Sequence, residues 1–253
     1  MEGQVEGALD HLVPLLQSNP NHAAANALAG ALLLSLGQLE AASPFLYHAL
    51  FLSNYTDYRS AVNLASLLRQ QDTPYEALKI LTRTYRALDN QQSLELSLVC
   101  EQLGAIFHAL GRYAVSSDWY LHAAHRRPRS PDLWVWASSL RHPREHVNLR
   151  LSENVLLTAV SFNAQSPLLF YYLGLTQVWG GRGREGVALL EHALSLHRNT
   201  TSPSTSPSVP SDSRIDTTYA NLLSALATAY HALGEEGAAA HYYAQATAPY
   251  LQE

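Results

Sequence analysis

Apolar residues along this chain return at i, i+3, i+4 and i+7 rather than at alternate positions. Ala61, Leu64, Ala65 and Leu68 keep that spacing, and so do Cys100, Leu103, Gly104 and Phe107. This is the apolar stripe of an amphipathic helix. A small residue sits at the centre of each stripe, where a second helix can approach closely. The pair recurs as Ala29-Gly30, Leu64-Ala65, Leu103-Gly104, Trp136-Ala137, Leu173-Gly174 and Leu226-Ala227, with steps of 35, 39, 33, 37 and 53 on the second residue. Turn residues follow at Gly37, Asp72, Gly111, Gly181 and Gly234. A second helical stretch then carries its own small residue, at Ala8, Ala42, Ala77, Ser116, Gly186 and Ala239. Pro20, Asn54, Asp89 and Pro128 close the units. Each unit reads as helix, turn, helix over about 34 residues.

The unit at 97–130 carries Cys100, Leu103-Gly104, Phe107, Gly111, Tyr113, Tyr120, Ala123 and Pro128. The last unit carries Leu223, Leu226-Ala227, Tyr230, Gly234, Ala239, Tyr243 and Ala246. This pattern resembles the tetratricopeptide repeat, W-x2-L-G-x2-Y then A-x3-F then P. The resemblance implies an all-α fold, a right-handed superhelical solenoid of antiparallel helix pairs. About six repeats are expected, preceded by a half repeat over 1–22. The repeats fall at 23–56, 58–91, 97–130, 131–166 and 167–199, and a C-terminal repeat at 215–253.

Three irregularities interrupt the array. The unit at 131–166 begins well, with Leu133, Trp136 and Ala137, and is then cut by His142-Pro143, with helix expected again near Glu153. Between Thr200 and Ser213, Ser, Thr or Pro occupies 12 of 14 positions. Such a stretch cannot supply a core, so 200–214 is expected to be a disordered loop. Within it Ser202 and Ser206 each precede proline and are candidate phosphorylation sites. Finally, the array starts on a second helix and ends on one without a polar cap. The expectation is that the natural protein continues further or that its open ends self-associate.

Composition narrows the function. The chain has 253 residues, 47% of them hydrophobic, and a formal net charge of −5. The acidic balance argues against a nucleic-acid partner. The single Cys100 excludes an intramolecular disulfide and any multi-thiolate metal site. No basic leader and no long apolar run is present, so no membrane insertion and a cytoplasmic location are expected. Gly181-Arg182-Gly183-Arg184-Glu185-Gly186 spells G-x-G-x-x-G, but helix rather than strand precedes it, and its glycines coincide with repeat markers. His122, His125 and His108 lack the further ligands that zinc needs. No catalytic constellation, cofactor motif or metal motif emerges, and the chain reads as a non-enzyme.

What remains is surface. The resemblance implies that first helices line a concave groove which holds a protein or peptide partner. On that flank lie Arg59, Asn63 and Arg69 in one unit, Trp134 in the irregular unit, and Tyr171, Tyr172 and Trp179 in the next. The arginines suit ligand carboxylates, Asn63 a ligand backbone, and the aromatic side chains an apolar anchor. The expected function is therefore a protein-interaction scaffold, or else the targeting or regulatory arm of a longer enzyme or complex subunit.

Overall fold

The computed structural model describes residues 2–88, 94–138, 148–201 and 213–247. All regular structure among them is helical. The chain forms two compact units, Met1–Arg127 and Pro128–Glu253. The first contains α1 (Glu2–Ser18), α2 (Ala23–Ser35), α3 (Leu39–Leu52), α4 (Tyr58–Gln70), α5 (Pro74–Leu88), α6 (Leu94–Ala109) and α7 (Tyr113–Arg126). The second contains α8 (Pro131–Ala137), α9 (Leu149–Phe162), α10 (Pro167–Trp179), α11 (Gly183–Thr201), α12 (Ser213–Ala232) and α13 (Glu236–Thr247). Helices pack as successive pairs, α2 with α3, α4 with α5, α6 with α7, α10 with α11 and α12 with α13. α1 lies against α2.

The joints within pairs share one construction. Gly37, Gly111, Gly181 and Gly234 have φ of +72°, +70°, +80° and +79°, and Asp72 takes the same left-handed conformation at +56°. The amide after each turns back to a carbonyl five residues earlier: Gln38 to Leu33, Thr73 to Leu68, Arg112 to Phe107, Arg182 to Gln177 and Glu235 to Tyr230. These bonds satisfy carbonyls that the ending helix would otherwise leave unpaired. Helix starts are also explained by sequence. The Asp57 carboxylate accepts the Arg59 N–H, the Asn148 amide oxygen accepts the Leu151 N–H, and prolines open α8 and α10.

The small residues sit at the crossings. A Cβ on Gly30 would lie 2.7 Å from the Leu46 side chain, one on Gly104 2.9 Å from the Tyr120 ring, and one on Gly174 2.8 Å from Leu190. Leu46 and Leu190 are wholly buried and Tyr120 nearly so. In the second unit Val187, Leu190, Leu194, Leu222, Leu223 and Leu226 join a core that Phe170 and Tyr171 border.

Several expectations are corrected. The helix that holds Glu153 begins at Leu149 rather than near Glu153, because Asn148 supplies a cap ahead of it, and the His142-Pro143 break lies outside the described residues. α11 runs through Thr201 and α12 begins at Ser213, so helix occupies both ends of the stretch expected to be a loop. Ser202 and Ser206 lie outside the described residues. Phe107 is only half-buried, and its neighbour Ile106 fills the interior of α6 instead.

Candidate functional site

In the first unit, α2 and α4 run side by side, and their facing residues leave two cavities. One, of about 450 Å³, is walled by Ala23, Ala24, Ala27, Leu28 and Ala31 of α2 and by Arg59, Ser60 and Asn63 of α4, with Asp57 at the start of α4. The other, of about 380 Å³, is walled by Leu34, Gly37 and Leu39 together with Asn63, Ser66, Leu67 and Gln70. Asn63 borders both. The groove exists because α2 presents alanines where a longer side chain would fill the space. The α2 sequence, AAANALAGALLLS, has no charged residue, and Leu28 stands 49% exposed at the edge of the first cavity. A helix apolar on every face signals a second apolar contact beyond its own core. That signal was available in the sequence, yet the alanines of α2 are absent from the residues expected to bind.

Polar groups around the groove are placed by the start of α4. Both Asp57 carboxylate oxygens are occupied, one accepting the Arg59 N–H at 3.2 Å and the other the Ser60 hydroxyl at 2.5 Å. The Arg59 guanidinium is exposed, with its Nε donating to the Tyr58 hydroxyl at 3.0 Å. That hydrogen bond is the main cause that raises its pKa further. Arg69 is exposed one residue before Gln70, which lines the second cavity. Asn63 is half-buried between the cavities.

The aromatic side chains are placed differently. Trp134 is completely buried. Its indole N–H donates to the Pro128 carbonyl at 2.9 Å, and its ring stacks on Phe162 with centroids 6.0 Å apart. The expectation that it lines an exposed patch is therefore corrected: the ring lies inside the second unit, held by the Pro128 carbonyl and by Phe162. Tyr171 is half-buried against the second unit's core and lies edge-on to Tyr172 at 5.0 Å. Burial, with the neighbouring Tyr172, raises the Tyr171 hydroxyl above its ordinary pKa. Trp179 ends α10 half-buried.

Other chemistry is limited. Cys100 is buried, and burial pushes its thiol up to about 11, away from the reactive thiolate. Among the described residues no three His, Cys, Asp or Glu side chains are grouped to hold a metal ion. The G-x-G-x-x-G stretch follows α10, with Gly181 in the turn and Gly186 packed against Gly174 and Val178. No described helix is long and apolar enough to cross a membrane.

No family model matches the chain, and no curated protein matches it in sequence. Solved structures do match in shape. The C-terminal part of a TPR repeat-containing protein from Cytophaga hutchinsonii superposes with a TM-score of 0.71 at 8% identity, over 97% of this chain and 90% of that one. PilF of Pseudomonas aeruginosa gives 0.58 at 14% identity, over 91% and 93%. YrrB, described as a TPR protein with an unusual peptide-binding site, gives 0.56 at 15% identity, over 73% and 91%. Paired helices, glycine-bearing turns and small residues at each crossing define an all-α helical-repeat array. With these likenesses, its fold is that of tetratricopeptide-repeat proteins.

Proposed function

We propose that the chain is a non-catalytic interaction scaffold that binds a peptide segment of a partner protein in the groove between α2 and α4. One observation carries this reading: two adjoining cavities share Asn63, so an amide that can both donate and accept stands between a recess walled on one side by α2 alanines and a second of mixed polar and apolar lining. An unfolded segment brings unpaired backbone groups and side chains in alternation, and this groove offers partners for both. Arg59 and Arg69 are the charged contacts. The peptide-binding site named for YrrB is in keeping with such a use of the fold.

Tyr172 and Trp179 supply a second candidate surface in the other unit, and the α2–α4 groove is favoured because it has depth. The test is a photo-crosslinking comparison. Peptides are selected from a random displayed library against the whole chain. Benzoylphenylalanine is then placed at Leu28, in the groove, at Tyr75, an exposed position on α5, or at Trp179, at the end of α10. Crosslinking from position 28 and not from 75 is expected. Equal crosslinking from both, or crosslinking only where Trp179 is replaced, would overturn the assignment to this groove.

A further inference from the structure

Phe51, near the end of α3, is 74% exposed, more than any other large apolar side chain among the described residues. Beside it runs α5, on which Lys79, Arg83 and Arg86 are all exposed. Their spacing, i, i+4 and i+7, puts the three on one face of that helix. Two contacts fix α3 and the residues after it against α5. The Tyr47 hydroxyl donates to Glu76 at 2.6 Å, and the Arg83 guanidinium donates to the Tyr55 hydroxyl at 3.0 Å. Phe51 lies between Tyr47 and Tyr55 in the chain, and Lys79 between Glu76 and Arg83. An exposed aromatic ring and the chain's single lysine thus occupy the same stretch of this seam. Neither they nor Tyr55, Arg83 and Arg86 line either cavity of the α2–α4 groove.

From Lys79 to Leu88 the helix carries three cations and no carboxylate. Only Arg86 stands in its last turn, where a cation offsets the helix dipole. Carboxylates of the surrounding elements are engaged or stand apart. Glu76 accepts the Tyr47 hydroxyl, and Asp57 caps α4. Asp118 is on α7, next to the Trp119 that meets the Tyr85 flank of α5, and Glu40 is about 16 Å back along α3 from Phe51. All four keep their charge, which confines the cationic field to the Lys79–Arg86 stretch.

Arg83 is held in place at a conformational cost. Asn54 and Tyr55 both take positive φ, +51° and +64°, which bulky side chains rarely adopt. In that conformation the Tyr55 ring lies under the Arg83 guanidinium, 4.4 Å from the ring centroid. A cation already fixed over a ring has less freedom to lose on meeting a carboxylate. Exposed aromatic and arginine side chains together are also the make-up favoured at protein contacts. We infer that this patch is an interaction surface for an acidic segment of a partner protein, with Phe51 taking an apolar side chain and Lys79, Arg83 and Arg86 taking the carboxylates around it.

The test titrates the whole chain into a short fluorescein-labelled peptide of glutamate and aspartate with leucine and phenylalanine at its centre, followed by anisotropy. Companion peptides replace the acids by their amides, or the apolar pair by serine. The variants are the double substitution Lys79→Glu/Arg86→Glu and the single Phe51→Ser, at exposed positions, each checked for an unchanged helical spectrum. Wild type is expected to bind the first peptide, less tightly as salt rises. The double charge reversal should weaken binding about ten-fold or more, and Phe51→Ser roughly five-fold. Failure of the acidic peptide to bind, equal binding of the amide peptide, or no loss in the charge-reversed protein would overturn the inference. Full binding by Phe51→Ser together with equal binding of the serine peptide would remove Phe51 from the surface and overturn it as stated. Vesicles of phosphatidylserine and phosphatidylcholine are the second probe. Binding to them without binding of the acidic peptide would replace the protein partner with an anionic lipid surface.

Discussion

The α6–α7 and α8–α9 pairs solve the same packing problem in opposite ways. In the first, two full helices cross where Gly104 removes a side chain, and the Tyr120 ring settles into the space. In the second, α8 has seven described residues, and the buried Trp134 ring stacks on Phe162 of α9. Both keep one polar device. Ser116, in the first turn of α7, donates its hydroxyl to the Gly104 carbonyl at 2.8 Å, and Ser152, in the first turn of α9, donates to the Ser138 carbonyl. The crossing is thus fixed by a buried hydroxyl in either pair, while the apolar filling adapts to helix length. A repeat pattern constrains the joint more tightly than the stuffing around it.

The sharpest way to break this comparison is Trp134→Ala. Losing a fully buried indole should cost about 3–5 kcal/mol, because the packed helices around it relax only partly into the cavity. The loss should appear in a guanidinium titration, with faster hydrogen exchange in α8 and α9. Unchanged exchange there would mean the ring does not support the short pair. Next is Gly104→Val, which puts a branched Cβ 2.9 Å from Tyr120. Overpacking of this kind should cost about 1–3 kcal/mol, read from the denaturation midpoint with exchange protection lost in α6 and α7. Ser116→Ala should be milder, about 1 kcal/mol, since it removes one buried hydrogen bond. If it costs nothing measurable, the hydroxyl does not fix the crossing.

The smallest effect concerns an ion pair in the second unit. Glu153 accepts from Arg182 at 2.6 Å and from Gln177 at 3.1 Å, and the Arg182 bond is the main cause that lowers its pKa. A carboxylate lowered on folding stabilises the folded state above its unfolded pKa. That contribution is lost as pH falls through the folded value. Both side chains are partly exposed, which limits the gain. Glu153→Gln should therefore lower the urea midpoint slightly at neutral pH and match wild type in acid. A difference that persists in acid would point to packing rather than charge.

Much of the fold is legible in the residues themselves. The turn glycines at 37, 111, 181 and 234 and Asp72 all hold positive φ, and the small residues at 30, 104 and 174 all sit at crossings. These are positions where backbone conformation or contact distance admits few residue types. The groove was legible in part. Arg59 and Asn63 line it, but the alanines opposite carry no chemical label, and only the three-dimensional pairing of α2 with α4 turns them into a wall. Trp134 lies on the flank that the periodicity assigns to the groove, yet it is buried, with its ring stacked on Phe162 and its N–H bonded to the Pro128 carbonyl, contacts that spacing along one helix does not reveal.

The spacing of the crossings also bears on how the chain is made. Gly30 meets Leu46, Gly104 meets Tyr120 and Gly174 meets Leu190, in each case sixteen positions later. Contacts this local close in microseconds to milliseconds. A ribosome adding about 5–20 residues per second needs roughly 2–7 s to deliver each further repeat. A pair therefore has time to close before its successor emerges, but alone it cannot bury its apolar flank. During synthesis each newly made pair is held shut only once the next repeats pack on it, seconds later.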